Sequence, residues 1–256
     1  MKLTIVVPAY NEEARIGRML EAYLPFFTER HGSDAEIVVV VNGSHDRTAE
    51  VVQRFGARYP MLRCIVETRN VGKGGALIEG FEVARGDLIG FVDADGATPP
   101  AAFQDLVEHI GDAAAIIASR WTHGAQVSPR QPLSRRVASR LFNWQVRLFF
   151  GLKLTDTQCG AKLMRRDALL PLLPHFGITR WAFDVDLLYQ IHRAGGRIAE
   201  IPTTWSDVAG SKLQVGRASV QMFLALVRLR LMYSPLKFLV RLYRPFLLPM
   251  VKLPKP

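Results

Sequence analysis

The sequence predicts an α/β fold in which a mostly parallel sheet carries helices on both faces. Three observations predict it. Strand-like apolar runs alternate with amphipathic helix-like segments through the first 121 residues. The runs are rich in Val, Ile and Leu and nearly unbroken, as strands covered on both sides are. A composition of 49% hydrophobic and 22% charged residues is that of a globular chain, which excludes a disordered tail or a collagen-like repeat. At 256 residues the chain has room for one enzyme-sized domain with an appendage.

Taken in order, strands are expected at 3–9, 36–41, 63–67, 87–93 and 114–119, with helices at about 12–29, 46–58, 73–84 and 99–110. Asp46 before Arg47-Thr48-Ala49-Glu50 supplies a cap and an acidic first turn. Thr98-Pro99-Pro100 supplies a cap followed by proline in the first turn. After Trp121 the alternation stops. A loop at 122–132 precedes an amphipathic helix at about 133–150, on which Val137, Leu141, Trp144 and Leu148 fall at helical spacing. A turn at 151–160, a strand near 161–165, a helix near 183–194 and a strand near 197–205 follow. Helical pieces at 215–233 and 235–248 are divided by Ser234-Pro235. The expected organisation is a catalytic body over 1–207, divided near 121/122, and a basic helical segment over 208–256.

The net charge of +10 is unevenly placed. Ala113 to Thr155 holds seven bases and no acid, and Val208 to Pro256 holds nine bases and no acid; the rest is acidic, with 17 bases against 23 acids. Both basic stretches are also dense in aliphatic and aromatic residues, which suits a lipid interface better than nucleic acid. No apolar run approaches the ~18–20 residues that span a bilayer. A peripheral protein lying on the cytoplasmic face of a membrane is expected, with a docked helical pair as the alternative. Cys64 and Cys159 fit reduced thiols, and the N-terminus runs straight into a strand, so no signal peptide is expected.

Chemistry concentrates at the ends of the strands, where open α/β sheets bind ligands. Pro8-Ala9-Tyr10-Asn11-Glu12 ends the first and Asn42-Gly43-Ser44-His45-Asp46 the second. Asn70-Val71-Gly72-Lys73-Gly74 is glycine-rich but fits neither common phosphate-loop pattern. Asp93-Ala94-Asp95 ends the fourth. Two carboxylates so close repel unless a cation neutralises them, and Mg²⁺ or Mn²⁺ held with ligand phosphates would do so. Asp156-Thr157-Gln158-Cys159-Gly160-Ala161-Lys162 and Arg180-Trp181-Ala182-Phe183-Asp184 add polar groups beyond the first half. Asp184 and Asp186, two apart on a helix, point differently, so one of them at most faces a site. On these residues alone, a nucleotidyltransferase and a non-catalytic adaptor stay open beside a sugar-nucleotide enzyme.

Together and in this order, these motifs resemble family 2 glycosyltransferases of the GT-A fold. With Gly210-Ser211-Lys212-Leu213 added, they resemble the dolichyl-phosphate β-glucosyltransferase group over residues 3–235. The resemblance implies a nucleotide sugar, with UDP-glucose favoured, a divalent metal, and a polyprenyl phosphate acceptor at the membrane surface. It implies nucleotide-sugar contacts from Pro8, Tyr10, Asn11, Glu12, Asn42, Asn70, Lys73, Asp93 and Asp95, with Asp93 and Asp95 at the metal. It also implies Asp156, Asp184 and Arg120 as catalytic candidates, Arg120 near the phosphates, and Arg120, Gln158, Trp181, Ser211 and Lys212 near the acceptor. Val41-Asn42 stands where many relatives carry two aspartates. Ala97 stands where related mannosyltransferases carry a glutamine, which favours glucose over GDP-mannose. A GT-A enzyme with a soluble phosphorylated or polysaccharide acceptor is the further alternative. Eukaryotic members carry an N-terminal membrane helix, so here the basic apolar segments are expected to supply attachment.

Overall fold

The computed structural model describes residues 1–129, 132–177, 182–206 and 215–235. Nine strands and eight helices are present among them: β1 (Leu3–Ala9), α1 (Ile16–His31), β2 (Ala35–Asn42), α2 (Thr48–Gly56), β3 (Leu62–Glu67), α3 (Gly72–Glu82), β4 (Leu88–Val92), α4 (Pro100–His109), β5 (Ala115–Ser119), β6 (Gln126–Ser128), α5 (Leu133–Phe150), β7 (Ala161–Arg165), α6 (Arg166–Leu169), α7 (Phe183–Arg193), β8 (Ile198–Pro202), β9 (Thr204–Ser206) and α8 (Val215–Met232).

Seven strands form one sheet in the order β3-β2-β1-β4-β7-β5-β8. All its pairs are parallel except those of β7, which runs antiparallel between β4 and β5. The β1–β2 register, Leu3 opposite Ala35 through Ala9 opposite Val41, keeps like faces together. Ile5, Val7, Ile37 and Val39 pack towards α1, α2 and α4, whereas Val6, Val38 and Val40 pack towards α3 and α7. That two-sided burial is why these strands read as unbroken apolar runs. The order 3-2-1-4 puts a topological switch point between β1 and β4, at whose carboxyl ends open α/β sheets bind ligands.

Several boundaries differ from expectation, each for a local reason. α1 starts at Ile16 because residues 12–15 form a turn, in which Arg15 and Ile16 N–H donate to the Glu12 carbonyl. Asp46 does not cap α2 as its N-cap. It sits one residue earlier, accepting from Thr48 N and Oγ1. Thr98 makes no side-chain cap; it is buried, and its carbonyl accepts from the Tyr23 hydroxyl. The strand expected at 197–205 is two strands, and the second pairs with β6, inside the segment expected to be a loop.

The helix at 133–150 is present as α5, but its evenly spaced apolar stripe faces outward. Leu133, Val137, Leu141, Trp144 and Leu148 are exposed, from 53% at Leu141 to 71% at Leu133. The opposite face, Phe142, Val146 and Phe150, is buried with Val185 and Leu188 of α7 and Leu226 and Leu229 of α8. The described part of the C-terminal segment thus packs on α5. Residues 207–214 and 236–256 lie outside the described residues, and with them all but the first residue of the piece expected at 235–248.

Candidate active site

The first two strand-end motifs knit together. Asn11 has φ 54°, the one positive value outside glycine among the described residues. That bend turns its side chain into the next loop, where its Oδ1 accepts from His45 N (2.9 Å) while its own N–H donates to Ser44 Oγ (3.0 Å). Glu12 N donates to Thr48 Oγ1 and Glu13 N to Asp46 Oδ2. Asn42 is buried, and its Oδ1 accepts from Val71 N (2.8 Å), tying the second motif to the third. Gly43, with φ 61°, lies against the Asn70 backbone, where a Cβ would come within 2.6 Å of Asn70 N. Asn70 Oδ1 accepts from Gly72 N at the start of α3. Tyr10 is exposed at the rim, and Pro8 is half-buried in β1.

Glu12, Asp93, Asp156 and Asp184 are each paired with a cation. Glu12 takes a two-point contact from Arg15 (2.7 and 2.6 Å). Burial still raises its carboxyl above the ordinary range, against the pull of Arg15. Asp93 Oδ1 lies 2.7 Å from Lys73 Nζ, which is also 3.6 Å from Asp184 Oδ2. Burial opposes the charge on Lys73, but Asp184 and Asp93 outweigh it and lift the ammonium above the usual lysine range. Asp184 is buried and holds Lys162 Nζ at 2.6 Å. Burial would raise its carboxyl, yet Lys162 and Lys73 bring it below the ordinary value. Asp156, fully buried, binds Arg120 through Nε (2.7 Å) and Nη2 (2.9 Å). Asp95 has no ion pair among the described residues; its Oδ1 accepts from Ala97 N. Burial and then Asp93 push its carboxyl up. It is the carboxylate that a cation would relieve.

That donor set fits a hard divalent ion. Asp95 and Asp93 offer carboxylate oxygens at the switch point, and no cluster of three His, Cys, Asp or Glu side chains occurs among the described residues. One or two carboxylates completed by phosphate oxygens is how Mg²⁺ is commonly held. Gly160 sets this geometry from behind. Its carbonyl accepts from Asp93 N, and a Cβ there would stand 2.7 Å from Asp93 Cγ.

Of the remaining predicted residues, Gln158 is half-buried with its Nε2 buried and unpartnered among the described residues. Trp181, Ser211 and Lys212 lie outside the described residues. Asp184 and Asp186 do diverge, Asp186 accepting from the Tyr233 hydroxyl.

Arg15, Glu200 and Asn143 carry no expectation from the sequence, and Lys162 none beyond its place at the end of the Asp156 motif. Arg15 pairs with Glu12. Lys162, a fully buried cation on β7, bonds Asp184 and the Cys159 carbonyl over the Phe91 ring. Glu200 on β8 accepts from Thr155 N, Thr155 Oγ1 and Asp156 N. Asn143 on α5 accepts from Thr157 N and Oγ1. A charge inside an apolar strand was the available signal for Lys162, since a buried charge must be paired.

The sequence profile of Glycosyl transferase family 2 matches residues 4–172. A dolichyl-phosphate beta-glucosyltransferase of Trichomonas vaginalis is 34% identical over 241 residues, covering 90% of this chain and 71% of the relative. Its counterpart in Saccharomyces cerevisiae is 35% identical over 253 residues, covering 90% and 75%. Among solved structures, glucosyl-3-phosphoglycerate synthase from Mycobacterium tuberculosis, in complex with Mn²⁺, UDP and glucosyl-3-phosphoglycerate, shares the fold. Its TM-score is 0.67 at 19% identity, over 90% of this chain and 79% of that one.

Proposed function

The chain belongs to glycosyl transferase family 2, and from that premise we propose that it transfers glucose from UDP-glucose to a polyprenyl phosphate of the dolichyl type, working from the surface of a membrane. The observation that carries the reading is Asp95, a half-buried carboxylate raised by its surroundings and without an ion pair among the described residues, at the switch point of the sheet. A sugar nucleotide's diphosphate arriving with Mg²⁺ or Mn²⁺ answers that need. The names of the relatives support glucose and the lipid phosphate. A structural neighbour of the same fold was solved with Mn²⁺ and UDP bound.

Asp95 and Asp93 would hold the ion, which supplies positive charge to the departing diphosphate. An acceptor phosphate is largely dianionic at neutral pH, with its second pKa near ~6, so no protein base has to remove a proton. One of its oxygens attacks the anomeric carbon while the bond to UDP breaks on the opposite face. The protein's work is to orient two anions that repel each other. Lys73 and Arg120 supply the fixed positive charge, Arg120 held in place by Asp156 and backed by the Trp205 ring. The unpartnered Nε2 of Gln158 offers a donor to the acceptor.

Attachment to the bilayer is supported by the outward stripe of α5 and by Val220, Phe223 and Leu224 of α8. Exposed apolar side chains with arginines among them suit an anionic lipid surface. No described helix is long and apolar enough to cross a membrane. The second reading is a soluble phosphorylated acceptor; the likeness to glucosyl-3-phosphoglycerate synthase speaks for fold alone and does not decide between the two.

The test is to incubate the protein with Mn²⁺, polyprenyl phosphate and, in separate reactions, labelled UDP-glucose and GDP-mannose, with 3-phosphoglycerate as a competing acceptor. Label in the lipid phase from UDP-glucose is expected. Label confined to the aqueous acceptor, or delivered only from GDP-mannose, would overturn the reading.

A further inference from the structure

The outward stripe of α5 and the Asp156 loop are two sides of one helix. Asn143 lies on the inner side, buried, at the point where α5 meets the segment 154–158. Its Oδ1 accepts two hydrogen bonds from Thr157, from N (2.9 Å) and Oγ1 (2.8 Å), while its Nδ2 donates to the Ser139 carbonyl one turn back (3.0 Å). Arg147, one turn further on, donates through Nε to the Leu154 carbonyl (2.9 Å). At the other end Trp121 Nε1 donates to Ser139 Oγ (3.3 Å), and Arg140 lies over the Trp121 ring. The helix therefore grips both chain segments that deliver the Arg120–Asp156 pair, one at residue 121 and one at 154–157. From the sheet side, Glu200 holds the same loop through Thr155 and Asp156.

We propose that Asn143 is a positioning residue: it fixes the Asp156 loop to the lipid-facing helix, so that seating α5 on an anionic bilayer firms the placement of Arg120 and Asp156. The bilayer part rests on the membrane reading above. The physical basis is the mismatch between the two anchors. Glu200 stands on a strand of the central sheet, whereas α5 exposes five large apolar side chains that a lipid surface would cover. A helix that loses exposed apolar area on docking is held more firmly. Whatever holds α5 also holds Thr157, because a buried acceptor taking both donors of one residue leaves that residue no second place to go. Asn143 does not touch the nucleotide half, so its effect falls on turnover and not on donor binding.

The test uses the full chain, Asn143→Ala, Asn143→Asp (which keeps the accepting oxygen and loses the Nδ2 donor to the Ser139 carbonyl) and Thr157→Val (which keeps the shape and removes the hydroxyl). Amide hydrogen exchange over 154–158 and hexosyl transfer to a short-chain, detergent-soluble prenyl phosphate are measured with and without acceptor-free vesicles of phosphatidylcholine and phosphatidylserine. In the unchanged chain, vesicles should slow exchange over 154–158 and raise turnover. Asn143→Ala should sediment with vesicles equally well, exchange faster, and lose up to about 100-fold in kcat with the KM for UDP-glucose unmoved. Asn143→Asp should recover only part of that loss, because its second oxygen faces the Ser139 carbonyl, and Thr157→Val should fall between Asn143→Ala and the unchanged chain. Should Asn143→Ala fail to fold, Thr157→Val carries the same comparison. Turnover and vesicle response in Asn143→Ala equal to those of the unchanged chain would overturn the proposal. So would a KM for UDP-glucose that moves as much as kcat. Vesicles that bind without changing the exchange would overturn the coupling alone, whereas failure of the unchanged chain to bind vesicles would overturn the membrane reading and the coupling with it.

Discussion

In the loops after β1, β2 and β3, polar side chains mostly hold the backbone amides of neighbouring turns: Asn11 holds His45, Asp46 holds Glu13, Asn42 holds Val71. Around β5, β7 and α7, charged side chains hold one another under cover: Arg120 with Asp156, and Lys162 with Asp184 and, through it, Lys73. The first arrangement builds a rigid rim that leaves room for a ligand. The second places charge inside the protein, where removing one partner leaves the other stranded. Asp95 stands at the border between them and belongs to neither pattern.

The sharpest way to break this contrast is Arg120→Met, which leaves the Asp156 carboxylate buried without its cation. A loss of about 3–5 kcal/mol in unfolding free energy is expected, against a much smaller loss when Asp156→Asn is added. Equal losses in the single and double variants, followed by denaturant unfolding, would show that the two groups do not act as a pair.

Asp95→Asn should lower transfer on the order of 10²–10³-fold and yet raise stability. Burial and Asp93 hold the Asp95 carboxyl above its ordinary 3.8, so the folded chain binds this proton more tightly than the unfolded one. Its contribution favours folding at pH below 3.8 and is lost as pH rises through the folded value, leaving a cost at neutral pH. The variant should therefore melt higher than the parent at neutral pH, with the gap closing in acid. A variant that melts lower at neutral pH would contradict the assignment of Asp95 as unneutralised.

Gly160→Ala tests the contact between the two patterns. The added Cβ has to displace Asp93, so turnover and Mn²⁺ binding should fall together, with the sheet intact by circular dichroism. The smallest effect on the fold is expected for Leu141→Glu with Trp144→Glu on the outward stripe. Stability should stay within about ±0.5 kcal/mol of the parent, while sedimentation with anionic vesicles falls. Unchanged sedimentation would remove α5 from the membrane face.

The rim was largely legible because its parts are local. A strand end, a turn residue and a helix start lie within a few positions of one another, and the β1, β2 and β4 boundaries came within a residue or two. The buried charges were legible only in part. Asp156, Lys162 and Asp184 stand inside recognisable motifs, but the roles of Lys162, Glu200 and Asn143 rest on partners 22, 45 and 14 positions away. No periodicity carries that pairing. The α5 stripe teaches a related lesson. Helical spacing identified Val137, Leu141, Trp144 and Leu148 as one face, but a second apolar face on Phe142, Val146 and Phe150 took the core.

Calorimetric titration of UDP, with and without Mn²⁺, into the parent protein and Asp95→Asn bears most directly on Asp95 as the attachment point for a diphosphate-bound cation. Mn²⁺ should tighten UDP binding to the parent and leave the variant's weak binding unchanged. Equal tightening in both proteins, or none in the parent, would contradict the account.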